Sequence, residues 1–186
     1  IMPVLSQRLQ TRGGNVIAVQ LDNEIGMLSW VSNCPDLTPT VLNDFRDYLL
    51  EKYDPALLAE RYPFGLTDMT AFTQSIRSPG EAWVLSLKQD LGYYMRRRFA
   101  VYLRTLKEYA QEQGVSQVPF LVNIHGTGGG RIYGLPIGIS QLFEGYTQSG
   151  EFLSGSDIYL YDMGMETFQD LYLINAYMEA VNLPDQ

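Results

Sequence analysis

Apolar positions along the chain alternate between two periods. Val16-Ile-Ala-Val-Gln-Leu21 and Pro119-Phe-Leu-Val-Asn-Ile124 are short, nearly continuous apolar runs, the pattern of strands buried in a parallel sheet. Asp157-Ile-Tyr-Leu-Tyr161 reads as a third strand. Between the first two, the spacing becomes helical. Thr40 to Tyr53 carries Val41, Leu42, Phe45, Tyr48 and Leu49 on one face, with Asp36 or Thr38 available as a cap and Pro39 in the first turn. Asp54-Pro55 opens a shorter helix, residues 63–79 read as a loop, and Glu81 to Gln113 reads as one long amphipathic helix stopped by Gly114. A short helix ending near Gln10 precedes the Gly13-Gly14 break. Beyond the second strand come a glycine-rich loop from His125 to Gly138, a short helix near Ser140 to Gly145, and a closing helix from Thr167 to Val181.

Strands joined by helical crossovers imply parallel pairing with right-handed connections, so the expected class is α/β. Three strands are few for a complete sheet in 186 residues. Three consecutive strand–helix units fit a segment of a (β/α)8 TIM barrel better than a closed domain. Residues 1–186 are accordingly expected to form a single segment of such a domain, incomplete at both ends. The start, Ile1-Met-Pro-Val-Leu, has neither an initiator Met nor the regions of a signal peptide, and is expected to be cut from a longer chain. A three-stranded piece would expose two sheet edges. The remainder of the barrel, from the same parent chain or a partner chain, is therefore an expected partner.

Composition narrows the chemistry. A formal charge of −8 and a pI near 4.6 oppose binding to phosphate backbones and anionic lipid, so neither nucleic acid nor membrane is expected as a partner. No apolar run approaches the roughly 20 residues that span a bilayer. Cys34 is the one cysteine, so no internal disulfide can form and the compartment stays open; a small, partly buried filler is its default role. No Cys/His cluster has metal spacing, and neither metal nor cofactor is expected.

The chemistry gathers at strand C-terminal ends, where parallel barrels place their active sites. The first such end is Gln20-Leu-Asp-Asn23-Glu24-Ile-Gly26. A strand-end Glu partly desolvated by barrel walls suits a carboxyl that must stay protonated near neutral pH, and an adjacent amide suits a sugar hydroxyl. Gly13-Gly-Asn-Val-Ile-Ala-Val-Gln-Leu-Asp-Asn-Glu-Ile-Gly26 resembles the strand-four signature of clan A glycoside hydrolases, most of all the β-galactosidases of families 42 and 35. Phe45-Arg-Asp-Tyr-Leu-Leu-Glu-Lys-Tyr53 is similar to the helix that follows in family 42, Val118-Pro-Phe-Leu-Val-Asn123 to its strand five, and Asp157-Ile-Tyr159 to the Asp-x-Tyr at strand six. The resemblance implies that the chain runs from strand four to helix six of a retaining glycosidase barrel acting on a carbohydrate substrate. Glu24 would be the general acid/base and Asn23 a substrate ligand. The nucleophilic Glu at the end of strand seven is expected beyond Gln186. Ile25 departs from the pattern, which commonly has an aromatic residue there.

Each further candidate has a structural alternative. Asn123 and His125 end the second strand, where they would bind sugar or orient Glu24, and a purely structural hydrogen-bonding role is the alternative for His125. Tyr159 and Tyr161 share a face, and the Asp-x-Tyr match favours Tyr159 as a substrate contact. Trp30 follows Glu24 closely enough to stack on a sugar, whereas Trp83 on a helix is expected in the core. Glu166 reads as a helix N-terminal charge rather than a second catalytic carboxylate. Gly126-Thr-Gly-Gly-Gly-Arg131 lacks the endings of phosphate-binding loops and reads as a loop bordering the site. Arg96-Arg-Arg98 is expected on a solvated or ion-pairing helix face. The expected activity is hydrolysis of a terminal β-linked sugar by a β-galactosidase-like retaining enzyme. The alternatives are a non-catalytic carbohydrate-binding or interaction domain derived from the same barrel, and a small flavodoxin-like ligand binder.

Overall fold

The computed structural model describes residues 1–23, 25, 36–123 and 152–155. They divide into two compact units: residues 1–23, 25, 96–123 and 152–155 form one, and 36–95 the other.

The first unit begins with helix α1 (Met2–Ser6) and a single 3-10 turn at Gln10–Arg12. Gly13, at φ 80°, ends that turn in the left-handed region. Leu9 then bridges Val16 in parallel, with Gln10 N donating to Val16 O and Val16 N to Arg8 O. Strand β1 (Val19–Gln20) pairs in parallel with β2 (Phe120–Asn123), which pairs in parallel with β3 (Leu153–Gly155), giving the order β1-β2-β3. Val19 lies opposite Phe120, Gln20 opposite Leu121, and Leu121 opposite Leu153. The strand at Leu153–Gly155 was not expected, and the expected strand Asp157–Tyr161 lies outside the described residues.

Alternation along the strands divides their side chains. Val19, Leu21, Phe120 and Val122 are buried with Ala100, Leu103 and Ala110 and with Leu9, Val115 and Phe152. Gln20, Leu121 and Asn123 fall on the other face by the two-residue period and the register. Lys107 sits over the rings of Phe120 and Phe152, at 5.9 and 5.2 Å, so its cation caps the apolar layer without entering it.

The second unit holds α2 (Pro39–Lys52), α3 (Pro55–Arg61), α4 (Met69–Arg77) and the first turns of the long helix α5 (Val84–Glu112), whose remainder belongs to the first unit. All five residues expected on the inner face of α2 are buried. Asp54 caps α3 and Asp68 caps α4, each carboxylate accepting two backbone N–H groups of the first turn. Helix α4 corrects the loop expected over 63–79: Asp68 starts it, and Phe72 and Ile76, four apart, bury one face. Aromatic rings fill this core, with Phe45 in tilted contact with Tyr94 (5.3 Å) and Phe72 (6.2 Å), and Phe64 with Trp83 (5.4 Å). Helix α5 stops as the glycine predicts. Gly114 takes φ 85°, Val115 N donates to Ala110 O, and Gly114 N to Gln111 O, a Schellman-type termination.

Two charged features of α5 were not expected. Arg96 is buried, only 7% exposed, so the arginine triplet is not a uniformly solvated face. Successive helical residues diverge by about 100°, and Arg96 turns inward while Arg97 and Arg98 stay half-buried. Asp90 is fully buried and takes four donors. Lys52 Nζ (2.7 Å) and the Tyr53 hydroxyl (2.6 Å) meet one oxygen, and Arg61 Nη2 (3.2 Å) and the Tyr62 hydroxyl (2.6 Å) the other. Burial alone would raise the Asp90 pKa, but the hydrogen bonds from Lys52, Tyr53 and Tyr62 hold it below the usual carboxylate value. Burial and then Asp90 raise the Tyr62 and Tyr53 phenols; for Lys52, burial is outweighed by Asp90 and the tyrosines, and its pKa rises. With each oxygen accepting two bonds, the carboxylate has no lone pair left for a ligand, and its part is to tie α2, α3 and α5 together.

Candidate active site

The C-terminal ends of β1 and β2 bring together two of the expected site residues, Asn23 and Asn123. Asn123 Nδ2 donates to Asn23 Oδ1 at 3.2 Å, although the residues are a hundred positions apart. Asn123 is buried, 6% exposed, while Asn23 is exposed. The link follows from parallel pairing: strands in register end side by side, which brings the polar residues at their C-terminal ends within reach of one another.

Three residues that the motif did not single out complete the arrangement. Gln20 Nε2 donates to both Asn123 Oδ1 (3.0 Å) and the Asp22 carbonyl (3.0 Å). Asp22 is a non-glycine residue in the left-handed region, at φ 61°. Its carboxylate accepts from the following backbone N–H of Asn23 at 2.7 Å, the local bond that makes this conformation tolerable for Asp. The Tyr102 phenol of α5 has its pKa raised by burial and then by the nearby Asp22 carboxylate. The chain thus turns sharply at Asp22, and the turn is held by its own carboxylate and by Gln20. Gln20 carried a visible signal: it is the one polar residue within the apolar run from Val16 to Leu21. Asp22 and Tyr102 carried none.

Ile25 is buried in the first unit's core, 7% exposed. Glu24, His125, Tyr159 and Trp30 lie outside the described residues, as do Cys34, Tyr161, Glu166 and the loop Gly126–Arg131. The described part of the site is therefore an array of three side-chain amides beside a carboxylate and a phenol, which suits recognition of hydroxyl groups. A separate groove of about 570 Å³ in the second unit, lined by Leu42, Asn43, Met69, Thr73, Gln74 and Arg77 among others, contains none of the expected site residues. Its guanidinium, on Arg77, donates to the Leu37 carbonyl. Among the described residues no group of three His, Cys, Asp or Glu side chains could hold a metal ion, and no helix is long and apolar enough to cross a membrane.

No protein-family model matches the chain. A stretch of 53 residues is 32% identical to a beta-1,2-glucosyltransferase of Ignavibacterium album, covering 28% of this chain and 7% of that protein. The local similarity is to a carbohydrate-active enzyme, and the matched stretch spans a small part of it.

Proposed function

We propose that this chain carries the acid/base end of a retaining β-glycosidase active site, β-galactosidase-like, on a (β/α)8 barrel of which residues 1–186 are a part. The observation that supports it most is the Asn23–Asn123 pair at the ends of neighbouring parallel strands, next in sequence to Glu24. In this reading Glu24 protonates the glycosidic oxygen as the bond to the anomeric carbon breaks, and a second carboxylate forms the glycosyl-enzyme. No residue of 1–186 is assigned that second part. Glu24, now ionised, then takes a proton from water as the water oxygen attacks the anomeric carbon and the carboxylate leaves. Asn23 holds a sugar hydroxyl through both steps. His125, Tyr159 and Trp30 remain assigned to the substrate on sequence grounds.

The similarity to a glucosyltransferase favours a second reading of the same site, in which a sugar hydroxyl takes the place of water. The acceptor oxygen attacks the anomeric carbon, Glu24 receives its proton, and a new glycosidic bond forms with no net hydrolysis.

Both readings rest on Glu24, and one experiment on the full-length protein tests it. With a nitrophenyl β-glycoside, Glu24→Gln should lower kcat/KM by ~10²–10⁴-fold, less for a more activated leaving group that needs no proton. Azide should restore part of the turnover as a glycosyl azide. Product analysis with an added sugar separates the two outcomes: free sugar marks hydrolysis, a longer oligosaccharide marks transfer. Unchanged turnover in Glu24→Gln would exclude Glu24 as the acid/base, and absence of turnover in the wild type would leave the non-catalytic binding domain.

A further inference from the structure

From the polarity of the three-amide chain we infer that Gln20 is a positioning residue that makes Asn23 a hydrogen-bond donor toward the sugar. The inference rests on the proposed site and goes beyond it by assigning a direction to one contact and a source for that direction.

A side-chain amide is symmetric in shape and opposite in polarity at its two ends, so something rigid must decide which end faces the substrate. The Asp22 carbonyl is that reference point, because a backbone carbonyl can only accept. The Gln20 atom 3.0 Å from it is therefore the amide nitrogen, Nε2. The same nitrogen lies 3.0 Å from Asn123, which must present its oxygen, Oδ1. That leaves Asn123 Nδ2 to donate to Asn23 Oδ1, at 3.2 Å. With its oxygen engaged, Asn23 has two N–H bonds as its main remaining capacity. The Asp22 backbone is fixed in turn by its carboxylate bond to Asn23 N. Direction is thus transmitted from a main-chain carbonyl through two side chains to the exposed amide. Asn23 donates to a hydroxyl oxygen and does not accept from it. A donated bond to the hydroxyl next to the anomeric carbon is of the kind that strengthens in an oxocarbenium-like transition state.

The test compares a nitrophenyl β-glycoside with its 2-deoxy analogue on the full-length protein, in wild type, Gln20→Leu, Gln20→Glu and Glu24→Gln. Gln20→Leu removes both donated bonds. Gln20→Glu can only accept once ionised, which favours the flipped Asn123 and reverses the amide that Asn23 presents. Both Gln20 variants should lower kcat/KM on the parent glycoside by about 10-fold or more, chiefly in kcat, while changing the 2-deoxy substrate by less than about 2-fold. Loss of equal size on both substrates would mean that Gln20 only supports the fold, and no loss on the parent would mean that it orients nothing; either result overturns the inference. Glu24→Gln identifies which claim has failed. If it loses activity and azide restores it while the Gln20 variants lose none, the relay alone is wrong; if it loses nothing, the site assignment is wrong and the relay falls with it.

Discussion

Replacing Asp90 is the sharpest available test of what holds the helical unit together. Its carboxylate is 0% exposed and is met by two cations, at 2.7 and 3.2 Å, and two phenol hydroxyls, both at 2.6 Å. Removing one partner of a buried charge pair typically costs about 3–5 kcal/mol. Here the cations soften that figure, since the Lys52 and Arg61 side chains keep 29% and 23% exposure and can turn to water. The Tyr62 hydroxyl has no such exit, because Tyr62 is 1% exposed, and losing its acceptor costs about 1–3 kcal/mol by itself. Adding the small cavity left at Asp90 puts Asp90→Ala near ~3 kcal/mol of destabilisation. Asp90→Asn keeps the volume but turns an amide N–H toward two donors, and should cost somewhat less, ~2 kcal/mol. Urea unfolding followed by Trp83 fluorescence, in a Trp30→Phe background, reads this unit because Trp83 packs on Phe64 within it. Tyr62→Phe completes a double-mutant cycle, with an expected coupling to Asp90 of about 1 kcal/mol or more. A loss below about 0.5 kcal/mol in Asp90→Ala, or additive effects with Tyr62→Phe, would show that the four donors do not depend on this carboxylate.

The same cluster predicts the limits of stability with pH. Asp90 binds its proton less tightly when folded, so the stability it contributes is present above the unfolded value of about 4 and is lost as pH falls through the lowered folded value. Tyr62 and Lys52 are shifted upward, so their contribution is present below about 10 and is lost as pH rises beyond it. The urea midpoint should therefore fall at both ends, and both falls should be shallower in Asp90→Ala; an unchanged profile in the variant would assign the limits to other groups. Gly14→Ala should destabilise the first unit by ~2 kcal/mol or more, because the added methyl would overlap the Arg8 carbonyl, an acceptor for Val16 N. A melting temperature within about 1 °C of wild type would show that this turn is free to shift.

What could be read from the sequence divides according to range. Helix α2 was legible because Val41, Phe45, Tyr48 and Leu49 repeat at the helical period, and α5 because Gly114 ends it at the expected place. Strands β1 and β2 appear inside their apolar runs, β1 with two residues and Val16 outside it in a bridge to Leu9. Helix α4 was hidden by the prolines and glycines around it, although Asp68, Phe72 and Ile76 together carried a cap and one buried face. Strand β3 has three residues, too short to display a period of two. Asp90 left no local trace at all, since its partners are 28 to 38 positions away and become neighbours only when the helices pack.

The candidate site shows the same division inside a few residues. Asn23 and Asn123 could be named in advance as candidates because strand ends are where a parallel fold exposes side chains to a ligand, and two predicted strands supply two ends. Their hydrogen bond adds something that neither strand specifies: an amide pair has a direction, and a motif written in residue types is blind to it. The direction comes from Gln20, placed by register beside Leu121 and so on the same face as Asn123, and from the Asp22 carbonyl, placed by a left-handed turn that only the folded backbone reveals. An Asn next to a carboxylate can accept or donate, and these choices favour different sugar hydroxyl orientations. In the proposed site, specificity would be set partly by residues that need not touch the sugar, and exchanging Gln20 for a residue of the same size and reversed polarity probes it more directly than truncating Asn23.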